Sequence, residues 1–219
     1  MAEAPVWPRH ALVRVEEAAW AAALAGHAQG GLALLQGWAV KGWPAIIRRP
    51  LPCDAPGLVP LGVPLPPAQG KQRIALAVPA SAILAASPPP LLAQAAMAAP
   101  ADWQPRIAAL LALGTQYGIA PACFGGLAWQ HLTGLAYLSP SSDLDTLWPL
   151  GTADVAPALA ADLAQAAAGP GPRLDGELLF PGGQAVNWRE FHAAGPQDML
   201  LVKEAQRARL LPRVMLLAA

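Results

Sequence analysis

The sequence predicts an α+β chain in two parts: a small β-rich N-terminal domain over residues 1–85 and a larger domain of mixed sheet and helices over residues 90–219. Three observations predict it. Up to about residue 78 the chain consists of short apolar runs punctuated by Pro and Gly, the pattern of strands and turns. The cluster Ser87-Pro88-Pro89-Pro90 then interrupts regular structure and marks a boundary. Beyond it, helical periodicity dominates, and two short segments of strand and turn character lie between the helices.

Within the first part, residues 32–40 and 43–49 read as strands joined at Lys41-Gly42. Residues 50–67 are too rich in proline for a helix and read as an irregular loop or the edge of a small β unit. In the second part, Asp102 is placed to N-cap a helix that carries Trp103, Ile107, Leu110, Leu111 and Tyr117 on one face and closes at Gly118. A second helix is expected after Asp154, with Val155, Leu159, Leu163 and Ala166 in one stripe, Pro157 in its first turn and Gly169 at its end.

Composition narrows the function classes. The 219 residues carry 14 Lys and Arg against 14 Asp and Glu, so the formal net charge is zero, and overall charge points neither to nucleic acid nor to an anionic membrane. Only 13% of residues are charged and 55% are hydrophobic, but much of that fraction is alanine, which buries little surface. The 8 Trp are therefore expected to fill the core. Two cysteines far apart, Cys53 and Cys123, fit neither a disulfide framework nor a metal-ligand spacing. Met1-Ala2-Glu3-Ala4-Pro5 shows no basic region followed by an apolar run. Residues 74–101 are uncharged, but Pro79, Pro88, Pro89, Pro90 and Pro100 rule out an uninterrupted membrane helix there. The expectation is a cytoplasmic protein without membrane or nucleic-acid partners.

Two segments carry candidate chemistry. In Cys123-Phe124-Gly125-Gly126-Leu127, an apolar run enters a glycine pair and a helix-like stretch leaves it. Adjacent glycines let backbone N–H groups approach an anion, and a helix N-terminus adds favourable dipole. An ordinary tight turn has the same sequence. The second segment is Ser142-Asp143-Leu144-Asp145-Thr146-Leu147. In a strand, residues two apart share a face, so Asp143 and Asp145 stand together. Their mutual repulsion is relieved by a divalent cation, and hard carboxylate oxygens suit Mg²⁺. A solvated turn is the bland alternative. Asp175 and Glu177, in Arg173-Leu174-Asp175-Gly176-Glu177-Leu178, are candidates for a third carboxylate on a neighbouring strand, with Asp175 preferred; a pair flanking a hairpin turn is again the alternative.

The order of strand, Gly125-Gly126, helix, loop and strand with Asp143 and Asp145 resembles the DNA polymerase β-like nucleotidyltransferase superfamily. The resemblance implies a triphosphate at the glycine turn and Mg²⁺ at the Asp pair. Gly126 and Asp143 are separated by 16 residues, more than the superfamily's usual spacing, and the insert at residues 132–141 accounts for the excess.

Closer wording is similar to a single family. Leu127-Ala128-Trp129-Gln130-His131-Leu132-Thr133-Gly134-Leu135-Ala136-Tyr137-Leu138, followed by Ser142-Asp143-Leu144-Asp145, resembles the malonate decarboxylase holo-acyl-carrier-protein synthases, or phosphoribosyl-dephospho-CoA transferases. Arg9-His10, Trp43-Pro44, Arg48-Arg49, Lys71-Gln72-Arg73, Trp188-Arg189-Glu190 and Leu201-Val202-Lys203 extend the resemblance from about residue 9 to about residue 205. It implies transfer of a prosthetic group from 2′-(5″-triphosphoribosyl)-3′-dephospho-CoA to a serine of the acyl carrier protein subunit of malonate decarboxylase, with release of pyrophosphate. Asp143 and Asp145 would hold Mg²⁺, Asp175 would complete the catalytic set, and Gly125, Gly126, Lys71 and Arg73 would meet the phosphates, with Arg48 and Arg189 as further basic candidates. The family often has Gly-Ser where this chain has Gly125-Gly126, so a hydroxyl contact to phosphate would be missing. His10 and His131 are candidates for an acid or base, but beside apolar neighbours they read first as packing residues. A carrier of the citrate lyase type, or a non-catalytic binding role in a decarboxylase complex, are the competing readings.

Overall fold

A computed structural model describes residues 7–52 and 54–218, and Cys53 and the Met1-to-Pro5 segment lie outside the described residues. The fold is α+β. The chain divides into two compact units, Met1–Pro89 and Pro90–Ala219.

The first unit is built on a five-stranded antiparallel sheet of β1 (Leu12–Val15), β2 (Ala45–Ile47), β3 (Leu58–Pro64), β4 (Arg73–Pro79) and β5 (Ile83–Ser87), in the order β4-β3-β2-β1-β5. Val59, Leu61 and Val63 on β3 and Ile74, Leu76 and Val78 on β4 are buried at alternate positions, as a sheet with one covered face requires. Helix α1 (Glu17–Ala25) packs on β4 and helix α2 (Ala33–Gln36) packs on α1, with Trp20, Leu35 and Trp38 wholly or almost wholly buried. Both indoles are satisfied: Trp20 Nε1 donates to the Leu35 carbonyl at 2.7 Å and Trp38 Nε1 to the Pro44 carbonyl at 2.9 Å.

Two expectations for this unit are corrected. Residues 32–40 do not form a strand. They turn through α2 and end near Gly42, because the two side chains that the core takes from this run, Leu35 and Trp38, are three apart and so share a helical face. Residues 50–67 are not an irregular loop throughout, nor a sheet edge. Prolines 60 and 64 fall at even positions while the buried side chains are odd, so β3 runs between β2 and β4 in spite of them.

The second unit has a six-stranded sheet in the order β11-β10-β9-β8-β7-β6. Its strands are β6 (Ala122–Phe124), β7 (Leu144–Pro149), β8 (Leu174–Leu179), β9 (Ala185–Asn187), β10 (Met199–Lys203) and β11 (Ala208–Pro212). All neighbours are antiparallel except β7 and β8, which run parallel. That parallel pair is joined by a crossover through α6 (Ala156–Ala168). The remaining helices are α3 (Leu92–Ala95), α4 (Gln104–Tyr117), α5 (Gly125–Thr133), α7 (Trp188–Ala193) and α8 (Arg213–Leu217). Trp148, Trp188, Ile107, Leu110, Leu159, Leu163 and Phe191 meet in one core.

The helix ends differ from the sequence expectation. Asp102 lies in a 3₁₀ turn, Ala101–Trp103, and makes no side-chain cap to α4, which starts instead with Pro105 in its first turn and ends at left-handed Gly118 (φ 64°). Gly169 follows α6 in an extended conformation (φ −74°, ψ 178°). The carbonyls at that end are satisfied from outside: Arg106, only 4% exposed, donates to the carbonyls of Ala167, Gly169 and Pro170. This buried guanidinium is tolerated there because it meets three acceptors at the negative end of a helix.

Candidate active site

The site forms where β6, β7 and β8 lie side by side. Phe124, the last residue of β6, is in register with Asp145 on β7, and Asp145 is in register with Asp175 on β8. The glycine pair opens α5 directly after Phe124, so the turn stands over the Asp145 carboxylate. Gly125 has φ 64°, and a Cβ there would come within 1.9 Å of Asp145 Oδ2. A side chain at this position is excluded on both counts. Phe124 provides no side-chain cap to α5, so the first-turn N–H groups beside the carboxylates are left for another acceptor. At Gly126 a Cβ would approach the Leu138 side chain at 2.9 Å.

The insert after α5 is held against the same turn. Gln130 Oε1 accepts from the N–H groups of Tyr137 and Leu138 at 3.1 and 3.2 Å, and its Nε2 donates to the Ala98 carbonyl. Leu138 is thereby fixed over Gly126, and the extra residues between the two motifs form an anchored loop.

Asp145 lies in β7, and Asp143 immediately precedes that strand. Burial pushes the Asp145 carboxyl up to about 7, and the charges of Asp175 and Asp143 push it in the same direction, while Arg173 opposes them. Asp143 Oδ2 accepts from Arg173 Nη1 at 2.7 Å, and Arg173 Nη2 lies 3.9 Å from Asp175 Oδ2. The other Asp175 oxygen is fixed by the Gly176 N–H at 2.8 Å and by Asn187 Nδ2 at 2.7 Å. Gly176 is a packing requirement: a Cβ there would stand 2.0 Å from the Thr146 carbonyl oxygen. Glu177 is almost fully buried and bonds Lys203 Nζ at 2.9 Å.

Five of the sequence-predicted residues meet within the second unit. Gly125, Gly126, Asp143, Asp145 and Asp175 converge. Lys71 (φ 54°) and Arg73 lie in the first unit, on the turn before β4 and at its first residue. Arg48, also there, makes a two-bond pair with Asp54 and donates to the Leu61 carbonyl. Arg189 stacks on Trp188 and donates twice to the Leu174 carbonyl, at 2.9 and 2.7 Å, so it braces the start of β8. His131 is exposed in the last turn of α5. Cys123 is a buried free thiol, pushed up to about 12 by burial first and then by the charge of Asp145.

Sequence reasoning passed over Arg173, Asn187 and Gln130. Asn187 had a signal: an Asn directly before Trp188-Arg189-Glu190 is an N-cap pattern. Its Oδ1 accepts from the N–H groups of Arg189 and Glu190, and its amide reaches Asp175. Arg173 and Gln130 had no local signal, since their partners are distant in sequence.

Among the described residues, no three His, Cys, Asp or Glu side chains are grouped so as to hold a metal ion by themselves. The donor set nevertheless fits a hard cation completed by substrate oxygens. Asp145 is a half-buried carboxylate under electrostatic load, Asp143 offers oxygen beside it, and the neighbouring sulfur of Cys123 is held as a thiol. No described helix is long and apolar enough to cross a membrane.

Comparison with known proteins agrees with the layout. Residues 8–89 match the phosphoribosyl-dephospho-CoA transferase MdcG N-terminal domain, and residues 90–214 match the MdcG C-terminal domain. The chain belongs to the phosphoribosyl-dephospho-CoA transferase family. It is 44% identical over 209 residues to the phosphoribosyl-dephospho-CoA transferase of Xanthomonas euvesicatoria pv. vesicatoria, covering 95% of each chain. It is 45% identical over 208 residues to that of Xanthomonas campestris pv. campestris (strain 8004), again covering 95% of each. With the protein of that name from Bradyrhizobium diazoefficiens it shares 43% identity over 208 residues, covering 94% of this chain and 90% of the relative. No solved structure matches the chain. The protein is a transferase of this family, and the moiety it handles is phosphoribosyl-dephospho-CoA.

Proposed function

We propose that the chain transfers the prosthetic group of 2′-(5″-triphosphoribosyl)-3′-dephospho-CoA to a serine on the acyl carrier protein subunit of malonate decarboxylase, releasing pyrophosphate. The observation that carries this reading is the register of Asp145 with Asp175 directly under the Gly125 turn. It joins a place for phosphate to a place for the charge that develops on it. The same order of elements supports membership of the DNA polymerase β-like nucleotidyltransferase superfamily.

The residues divide the work as follows. The N–H groups at the start of α5 bind a phosphate, and the absence of a side chain at Gly125 lets it come close to Asp145. Asp143 and Asp145 would hold Mg²⁺ together with phosphate oxygens; when bound it supplies neutralisation of the triphosphate and of the charge on the leaving group. The carrier serine oxygen forms a bond to the α-phosphorus. The bond from that phosphorus to the oxygen bridging the α- and β-phosphates breaks, and pyrophosphate leaves with the electron pair. Asp175, oriented by Asn187, takes the serine proton through Oδ2. Its orientation on a strand is the positioning that such a transfer requires.

The test is incubation with Mg²⁺, the triphosphoribosyl donor and apo-carrier proteins of the malonate decarboxylase and citrate lyase types, read by intact mass and by pyrophosphate release. Modification of the malonate decarboxylase carrier with matching pyrophosphate is expected. Preference for the citrate lyase carrier would redirect the target, and no modification of either would favour a binding role.

A further inference from the structure

The geometry points to Arg173 as a built-in counter-cation of the Asp143 and Asp175 carboxylates, displaced from Asp143 when metal binds and then turned onto the polyphosphate of the donor. The inference rests on the metal and donor assignment of the proposed function.

The first observation is that Arg173 already holds an atom the metal needs. Its Nη1 lies 2.7 Å from Asp143 Oδ2, and its Nη2 lies 3.9 Å from Asp175 Oδ2. It faces two of the three carboxylates gathered at the site, where unneutralised charge is costly. A divalent ion on Asp143 and a guanidinium on the same oxygen repel each other and compete, so binding of one drives off the other.

The second observation is that the backbone of Arg173 is fixed while its side chain has room to move. The Arg173 carbonyl accepts from the Leu144 N–H at 2.9 Å, next to Asp143. The preceding loop is held by buried Arg106 through the carbonyls of Ala167, Gly169 and Pro170. Gly171 (φ 125°) lies so close to that clamp that a Cβ would stand 3.2 Å from Arg106 Nε. The Arg173 side chain, in contrast, is 61% exposed. A guanidinium on a fixed stem, released beside a bound polyphosphate, finds the acceptor for which its planar fork is suited. One cation then serves both states, and it couples metal binding to donor binding: metal alone must break the Arg173–Asp143 pair, whereas metal arriving with polyphosphate gives Arg173 a new partner.

The experiment measures Mn²⁺ binding by electron paramagnetic resonance without donor, and donor KM and kcat with Mg²⁺, for the wild type, Arg173→Gln and Arg173→Lys. Arg207→Gln is the control, since it removes an equal charge from an exposed pair with Glu204. Arg173→Gln is expected to bind Mn²⁺ about tenfold tighter, the order expected for loss of a contacting charge at a partly screened site, with Arg173→Lys between. Its donor KM should rise about tenfold with a smaller change in kcat. Mn²⁺ affinity in Arg173→Gln that equals or falls below the wild type, an equal gain in Arg207→Gln, or an unchanged donor KM would each overturn the inference. Absence of Mn²⁺ binding by every form, with or without donor, would instead remove the metal assignment itself and this inference with it.

Discussion

Gly125 and Asp145 occupy the same space: a Cβ on the glycine would stand 1.9 Å from Oδ2 of the aspartate. The two motifs that stand apart in the sequence are therefore one site, and their contact sets the first prediction. Gly125→Ala must move the Asp145 carboxylate and also bear a left-handed conformation that costs an L-residue about 1–2 kcal/mol. We expect at least a ~100-fold loss of transfer, with melting lowered by a few degrees. Gly126→Ala meets only the tip of the Leu138 side chain, so a loss under about tenfold is expected. Equal losses for the two, in carrier modification followed by mass spectrometry, would contradict the contact.

Asp143→Ala and Asp145→Asn should each abolish carrier modification without unfolding the protein. Asp145 is half-buried among like charges, so its neutral replacement relieves repulsion in the metal-free state. Thermal melts in chelator should show Asp145→Asn at or above the wild type. A folded Asp145→Asn protein with near-normal transfer would remove Asp145 from the site.

The pH dependence has a definite sign. The Asp145 carboxyl is raised from 3.8 to about 7, so the neutral form is favoured in the folded protein. The stability it contributes is full below about pH 4 and is lost as pH rises through about 7. In chelator, Asp145→Asn should gain on the wild type between about pH 5 and about pH 8. Mn²⁺ binding must release this proton, so affinity should climb until about pH 7 and then level. A difference between the two melts that is the same at both pH values would refute the shift.

Asn187 caps α7 and holds Asp175, and the two roles separate by mutation. Asn187→Ala should lower stability by about 1 kcal/mol through the lost cap and kcat by about 10–100-fold through the freed carboxylate. Asn187→Asp keeps a capping oxygen but sets a second charge against Asp175. Its melt should return toward the wild type while transfer stays low. Recovery of both together would show that Asn187 acts through the helix alone.

Metal identity should matter for turnover more than for binding. Ca²⁺ accepts oxygen ligands in looser geometry than Mg²⁺, so donor binding is expected in both and transfer in Mg²⁺ only. A donor titration in EDTA, Ca²⁺ and Mg²⁺, followed by apo-carrier, reads both steps. Full turnover in EDTA would end the metal reading.

The sequence by itself determined the local pieces: a strand entering Gly125-Gly126, the helix that leaves it, and a strand at the Asp pair, which the structure starts at Leu144 so that Asp143 only precedes it. These rest on periods of two and on glycine conformations, which few residues encode. It misread residues 32–40 because a short apolar run fits strand and helix alike, and only burial of Leu35 with Trp38 separates them. Which carboxylate faces Asp145 was open between Asp175 and Glu177 in the same way. The tertiary structure decided it through the crossover of α6 and the close approach at Gly176, which put Asp175 opposite Asp145 and leave Glu177 to Lys203. Arg106, Arg173 and Gln130 were invisible for a related reason. Each acts on atoms 7 to 64 residues away, and such pairings exist only once the intervening chain has folded back.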